Sequence, residues 1–390
     1  MKNSWRSSQQ LRGNQIADDN HTLPLFIAGI LMDKSTCKLG LIGCGSIAQA
    51  VHLNILTRLP GVELVALAEP DPQRQASAQR QAPSAVAFAD YRVLLERSKV
   101  DGVVICLPSA LHAEAAIAAL DHGKHVYLEK PVAVSTEEAA AVVTAWQQAG
   151  VVGMIGFNYR FSPQYIAAKA AIQSGQLGEL VSARSVFSYP VGTAPAWKQK
   201  RASGGGILLD LALHDIDLAR FLFDAEVQTV AAEVRSHRYE DDTAALQFQL
   251  TNGVMFQLFT SMSTIDEARW EIYGQSGKLI ADRYQETAIQ IIPPQRPLSR
   301  RAQLGVSLQA ALRRLNWRKI IAPTLEPSYQ GALAAFVEAM QLGQPVRPDF
   351  TDGLRALAVI EAAETAARSG SVVSLAGEGR SRSPNPVPAV

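Results

Sequence analysis

Between Cys37 and Phe157 the chain alternates short, almost unbroken apolar runs with stretches whose apolar positions recur every three or four residues. The runs predict strands at Lys38–Ile42, Glu63–Ala68, Ala85–Phe88, Gly102–Cys106, His125–Leu128 and Val152–Gly156. Helices lie between them, for example Ser46–Arg58 and Ala110–His122. Strands spaced by helices indicate βαβ units and a parallel sheet. Runs such as "DGVVICLP" and "LVALAEP" suit strands covered on both faces, so the first half reads as a doubly wound α/β domain.

The pattern changes after Arg160. One helix (about Pro163–Ser174) precedes "ELVSARSVFS", which alternates with period two, and a Gly-rich loop leads to a strong helix at about Ile207–Phe223. Strands are then predicted at Gln228–Arg235, Thr243–Leu250, Val254–Thr260, Arg269–Gly274, Lys278–Asp282 and Ala288–Ile292, with "TNG" at 251–253 as a hairpin turn. Many strands with little helix between them indicate a largely antiparallel sheet, hence an α+β second domain closed by helices at about Tyr329–Leu342 and Asp352–Arg368. The tail "GEGRSRSPNPVPAV" is polar and Pro-rich, the composition of a disordered end.

Composition narrows the partners. The 390 residues are 47% apolar and 19% charged with a net charge of +1, so no global field draws the chain to nucleic acid or lipid. Cys37, Cys44 and Cys106 are an odd number without metal-type spacing, and read as small core residues in a reducing compartment. No apolar run is long enough to span a bilayer. "LPLFIAGIL" at 23–31 has the look of a signal-peptide core, but Asp18 and Asp19 interrupt its flank and no A-x-A site follows. A disordered extension, or a start codon assigned upstream of Met32, fits better, and the expected location is the cytoplasm.

Two stretches carry chemistry. Gly43-Cys44-Gly45-Ser46-Ile47-Ala48 is a G-x-G-x-x-A that follows a predicted strand and opens a predicted helix, the context of a dinucleotide cradle. Gly43 permits the turn, Gly45 lets backbone approach a pyrophosphate, and the helix start offers free N–H groups. Glu69 ends the second strand where a carboxylate grips ribose hydroxyls and repels a 2′-phosphate, favouring NAD; Arg74 nearby leaves NADP open. In "SGGGILLDLALHDIDLARFL", Asp210 and His214 are four apart and Asp217 three further on, so helical spacing puts all three on one face. A carboxylate orients an imidazole and raises its basicity, so His214 is either catalytic or a satisfied structural histidine. "HVYLEKPVAVS" leaves Lys130 at the end of a buried strand, either functional or salt-bridged to Glu129.

"GLIGCGSIA", "VVICLPSALHAEAAIAALDHGKHVYLEKPVAVS", "GFNYRFSP" and "GGGILLDLALHDIDLARFL" stand in the order and spacing of the glucose–fructose oxidoreductase/inositol dehydrogenase (Gfo/Idh/MocA) family, which the chain resembles over about 37–376. The resemblance implies a Rossmann domain at 37–157 and an α+β substrate-binding and oligomerisation domain at 158–376, with residues 1–36 and 377–390 outside them. It implies an NAD(P)-dependent dehydrogenase acting on a secondary hydroxyl of a sugar, cyclitol or nucleotide sugar. Lys130, Asp210 and His214 then converge beside the nicotinamide, with His214 as general base, Asp210 orienting it, and Lys130 stabilising the developing alkoxide. Pro108, Ser109, His112 and Glu129 match cofactor positions, and Asn158 and Arg160 match positions lining the cleft. Trp197 and Lys198 match a Trp-Arg substrate element in which lysine replaces arginine. Asp217 is left between a structural role and a substrate hydroxyl. No metal is implied, and a homodimer or homotetramer is. An NAD-dependent glycoside-cleaving enzyme or a non-catalytic NAD(P)-binding sensor could use the same scaffold.

One segment has no counterpart in that resemblance. Arg296, Arg300, Arg301, Arg313, Arg314, Arg318 and Lys319 occur without an acid between Thr287 and Leu325. With Leu304, Leu308, Leu312 and Leu315 they predict a basic amphipathic helix over 300–321. It suits a lid or subunit contact, a clamp for an anionic substrate, or a membrane-surface helix, and is the only hint of a membrane.

Overall fold

Six apolar runs become one parallel sheet because each lacks a polar face to turn toward water. In the computed structural model, which describes residues 36–284, 288–294 and 327–375, they are β1 (Cys37–Ile42), β2 (Val62–Ala68), β3 (Val86–Phe88), β4 (Gly102–Ile105), β5 (His125–Leu128) and β6 (Gly153–Ile155). Their order is β3-β2-β1-β4-β5-β6. The order reverses between β1 and β4, which opens a crevice at the carboxyl ends of the strands, where doubly wound folds bind ligands.

The connecting helices are α1 (Leu53–Leu56), α2 (Pro72–Gln81), α3 (Tyr91–Arg97), α4 (His112–Asp121) and α5 (Thr136–Ala149). Their ends follow side-chain chemistry. Asp71 caps α2 by accepting from the backbone N–H groups of Gln73 and Arg74, and Ser135 caps α5. Gly150 stops α5 in the left-handed conformation.

Beyond α6 (Pro163–Gln173), β7 (Leu180–Ser188) and α7 (Leu213–Phe223) come β8 (Val227–Arg235), β9 (Thr243–Leu250), β10 (Met255–Ser261), β11 (Glu267–Gly274), β12 (Gly277–Asp282) and β13 (Gln290–Ile292). α8 (Pro327–Leu342), α9 (Phe350–Ser369) and the short β14 (Val373–Ser374) follow. The second sheet runs β13-β12-β11-β7-β10-β9-β8-β14; among the described residues only β7 and β10 pair in parallel. Each meander returns by hairpins, but β10 arrives beside β7 after a crossover through α7, so that pair runs the same way. Under α7, Trp270 stacks on Phe256 at 4.8 Å and Phe256 on Phe248 at 5.4 Å between ring centroids.

One feature departs from the sequence reading. Helix α8 covers the first sheet: Ala332, Leu333, Phe336, Val337 and Ala339 pack with Leu39, Leu41, Leu56 and Tyr127. Its apolar stripe states that it must be covered, not by which sheet. The basic segment 296–319, the N-terminal extension and the tail lie outside the described residues.

Helix α9 wedges between α5 of the first layer and α7 and β8 of the second. A buried ionic network holds that junction. Arg160, just after β6, donates to Asp217 on α7 at 2.9 and 2.6 Å and lies 3.4 Å from Asp352, which forms a capping box with Asp349 at the start of α9. Arg220 joins the same carboxylates and Glu226. Removing one partner strands the others in a low-dielectric interior. Asp217→Ala should therefore cost about 3–5 kcal/mol of unfolding free energy in urea titrations. Loss of less than about 1 kcal/mol would show the network to be dispensable.

Candidate active site

The first glycine turn fits a dinucleotide for reasons visible atom by atom. Gly43 has φ +86°, and a side chain there would meet the Cys106 carbonyl at 2.7 Å. Gly45 faces open space, which leaves its backbone approachable. Ser46 is exposed and Ile47 half-buried at the start of the helix. Glu69, at the end of β2, accepts the Cys44 N–H through Oε2 at 2.8 Å, and the Arg74 Nε and an Arg74 terminal nitrogen through Oε1 at 3.0 and 2.8 Å. Oε2 keeps acceptor capacity for a ribose hydroxyl. Arg74, the candidate 2′-phosphate partner, is already paired with that carboxylate. These residues fit NAD. Burial pushes the Cys44 thiol up to about 12, so it is an inert lining group.

The helix after the turn opens with a π-helical segment at Ala48–His52 before α1. His52 at its end is fully buried and its Nε2 lies 2.7 Å from Glu129 Oε1. Glu129 is thus paired with His52 and does not bridge to the Lys130 ammonium, although it was expected at the cofactor. Pro108 starts the turn after β4, its carbonyl accepting the Leu111 N–H, and Ser109 is buried against Gly204 of the second unit. His112 is buried too, Nδ1 2.5 Å from the Pro131 carbonyl and Nε2 2.8 Å from that of Leu107. It braces the lysine loop through both ring nitrogens. The Lys130–Pro131 bond is cis.

At the carboxyl edge of β5, the Lys130 ammonium donates to the Asp210 carbonyl at 2.7 Å and to its Oδ1 at 3.2 Å. Lys198 donates to both Asp210 oxygens at 3.0 Å, and its Nζ lies 5.4 Å from the centroid of the half-buried Trp197 ring. Gly205 is what lets this loop close: a side chain there would strike the Lys198 carbonyl at 2.3 Å. Tyr189 reaches Asp210 Oδ2 at 3.5 Å. Burial alone would raise the Asp210 pKa, but the two ammoniums outweigh it and hold the carboxyl well below the usual range.

Asp210 was expected to orient His214, and its carboxylate goes to the lysines instead. The reason is a second π-helical segment, Leu208–Ala212, which widens the turn between the two residues and takes Asp210 off the face that 3.6-residue spacing assigns it. His214 is buried, its ring stacked on Tyr159 at 4.6 Å, and its Nδ1 makes no hydrogen bond. Burial first, then the charges of Lys130 and Arg283, push its pKa well below 6.5, with Asp210 opposing. His214 is therefore neutral at neutral pH.

Asn158 and Arg160 do not line a cleft. Asn158 is fully buried and donates to Ser328 Oγ at 2.9 Å, and Arg160 belongs to the ionic network, which also gives Asp217 its structural role. Tyr189, Tyr159, Arg283, His52 and Asp215 escaped sequence reasoning. Arg283 stands 4.1 Å from the Tyr159 ring centroid and 5.0 Å from that of Phe187. Tyr159 and Asp215 carried a signal, inside "GFNYRFSP" and "GGGILLDLALHDIDLARFL"; the rest meet partners distant in sequence. Among the described residues no cluster of three His, Cys, Asp or Glu could hold a metal ion.

Residues 37–157 match a family model described as an oxidoreductase family with an NAD-binding Rossmann fold, and residues 165–280 match the GFO/IDH/MocA C-terminal domain. An inositol 2-dehydrogenase of Saccharopolyspora erythraea is 29% identical over 348 residues, 86% of this chain and 94% of the relative. A dTDP-3,4-didehydro-2,6-dideoxy-alpha-D-glucose 3-reductase of Actinomadura kijaniata is 28% identical over 335 residues, 85% and 96% of the two chains. A levoglucosan dehydrogenase solved with NADH and levoglucosan has a TM-score of 0.74 at 25% identity, covering 87% of this chain and 99% of that one.

Next to His214, Asp215 points the other way, accepting from Ser185 Oγ at 2.6 Å and Trp270 Nε1 at 2.7 Å in the core. Burial raises its pKa from 3.8 to about 6 against those two bonds. A raised folded-state pKa stabilises fully below 3.8, and that contribution is lost as pH climbs through 6. Asp215→Asn keeps both acceptor bonds without the charge. Relative to wild type it should gain up to about 3 kcal/mol between pH 4 and pH 8, read as the difference in urea midpoints. A constant difference across that range would place the charge elsewhere.

Proposed function

Because the chain belongs to the Gfo/Idh/MocA family of oxidoreductases, we propose that its lysine–aspartate–histidine centre oxidises a secondary hydroxyl of a sugar, cyclitol or nucleotide sugar, and reduces the ketone in reverse. The observation that carries this is a cation held at the carboxyl edge of the first sheet by Asp210 of the second unit, beside a buried neutral imidazole. When bound, NAD accepts the hydride that leaves the carbinol carbon. Gly43, Gly45, Ser46, Ile47 and Glu69 would hold it.

Loss of hydride requires loss of the hydroxyl proton. Neutral His214 takes it, and returns it in the reductive direction. Lys130 meets the negative charge growing on oxygen, and its ammonium is already fixed by Asp210, so little reorganisation accompanies reaction. Lys198 adds a second positive charge to the same carboxylate, and with Trp197 forms the wall for the substrate's other hydroxyls. Asp210 holds both ammoniums by hydrogen bonds. Its role is electrostatic placement of lysines.

Two features support an assembly of identical subunits. One face of the second sheet exposes Met255 and Phe259 of β10, and on the same face Glu271 is enclosed by Arg184, Arg269 and Lys278. The three cysteines are free and buried, which suits the cytoplasm. No helix among the described residues is long and apolar enough to cross a membrane.

A panel of inositols, free sugars and UDP-sugars followed by NADH absorbance tests the reaction. One class should turn over, and Lys130→Ala and His214→Ala should each lower kcat/KM on the order of a thousandfold. NADH affinity by fluorescence titration should stay within a few-fold. The acid limb of kcat/KM should fall below pH 6.5, the ordinary histidine value, because His214 stays neutral further into acid. Near-full activity in both variants overturns the reading.

A further inference from the structure

Lys130 is bracketed by two residues, each held by a buried imidazole. His112 holds the Pro131 carbonyl at 2.5 Å, and His52 holds the Glu129 carboxylate at 2.7 Å. The second hold raises a question the alcohol chemistry does not answer. Glu129 is a buried carboxylate immediately before the catalytic lysine, yet the lysine's ammonium ignores it and crosses to Asp210.

The geometry around Glu129 explains why. Its Oε1 is occupied by His52 Nε2, and its Oε2 faces the Lys130 backbone N–H at 3.3 Å. Its own N–H is tied to the Ile105 carbonyl at 3.0 Å. Behind it, the lack of a side chain at Gly156 leaves the carboxylate its place: a Cβ there would come within 3.2 Å of Oε2. The Glu129 carboxylate can only accept, so His52 Nε2 carries a proton and donates it, while Nδ1 is buried without a hydrogen bond. The ring sits edge-on between Tyr127 and Tyr329, at 5.8 and 5.7 Å between centroids, which fixes its direction. Without that donor Glu129 would be a buried anion lacking its principal partner, and the nearest mobile cation is Lys130.

We propose that His52 is a positioning residue for Lys130: by occupying Glu129 it prevents that carboxylate from drawing the ammonium off Asp210. The role rests on the reading of Lys130 given above, and it links the cofactor-binding helix to the reacting centre.

The test uses the full chain with NADH bound and reads the lysine directly. Limited acetylation with acetic anhydride followed by mass spectrometry should show Lys130 at least about fivefold less reactive in His52→Leu than in wild type, relative to Lys198. His52→Gln, whose amide can donate from the Nε2 position, should restore it. Glu129→Gln combined with His52→Leu should restore it also, because the competing charge is gone. On a substrate from the panel, kcat should follow the same order, falling about thirtyfold in His52→Leu with KM and NADH affinity within threefold. If His52→Leu fails to bind NADH, His52→Asn, polar but too short to reach Oε1, is read in its place. Unchanged Lys130 reactivity in the leucine variant, or a double variant worse than the single one, overturns the proposal. The labelling decides this even if wild type oxidises nothing in the panel, an outcome that would instead sink the reaction assigned above.

Discussion

A charged ammonium at the end of a buried strand needs a counter-ion, and for Lys130 that ion arrives on a different sheet's helix. Asp210 is eighty positions away in sequence and meets the lysine because the π-helical segment that leads into α7 comes up to the loop after β5. The active centre thus exists only when the two units are packed. The same helix carries Asp217 and Arg220 into the ionic network and Asp215 into the core beneath. Misplacing α7 would leave several charges uncompensated at once, each costly in low dielectric. The junction is specified by charge as well as by apolar area.

The charges at the centre are also unequal in a useful way. Two lysines share one carboxylate, and His214 feels Lys130, Lys198 and Arg283 against Asp210 alone. An imidazole in that surrounding sheds its proton easily, while an alkoxide there is favoured. Both tendencies belong to one electrostatic arrangement, so the proposed base and the proposed oxyanion partner are tuned together.

Much of this was readable before any coordinates. The first-sheet strands were legible because continuous apolar runs are what doubly covered strands require, and Thr243–Leu250 because that strand alternates buried apolar residues with exposed ones such as Gln247 and Gln249. Glycine spacing located the cradle, and "EKP" with the D-x-x-x-H helix named Lys130, Asp210 and His214, which the fold brings near one another. What failed was pairing. Asp210 was assigned to His214 by 3.6-residue arithmetic, and a π turn leaves no mark in an apolar pattern such as "GILLDLAL". Arg160 looked available because Asp217 and Asp352 are remote in sequence; likewise nothing near Glu129 announces His52. Ion pairs between distant segments have no periodicity. Helix α8 was legible as a helix, but an amphipathic stripe names no partner sheet.

That last point bears on how the chain becomes a protein at the ribosome. The strands of the first sheet emerge early, and one of their faces, with Leu39, Leu41 and Tyr127, awaits a lid that is translated only after β7 to β13 of the second sheet. Vectorial synthesis would favour completing the N-terminal unit first, but here its closing helix is among the last pieces made. The nascent first sheet must remain half-covered, its apolar face open to chaperones or to the wrong neighbour, until Phe336 arrives. A truncation before α8 spares Lys130, Asp210 and His214, yet it leaves the nucleotide half uncovered and takes Asp352 from the junction.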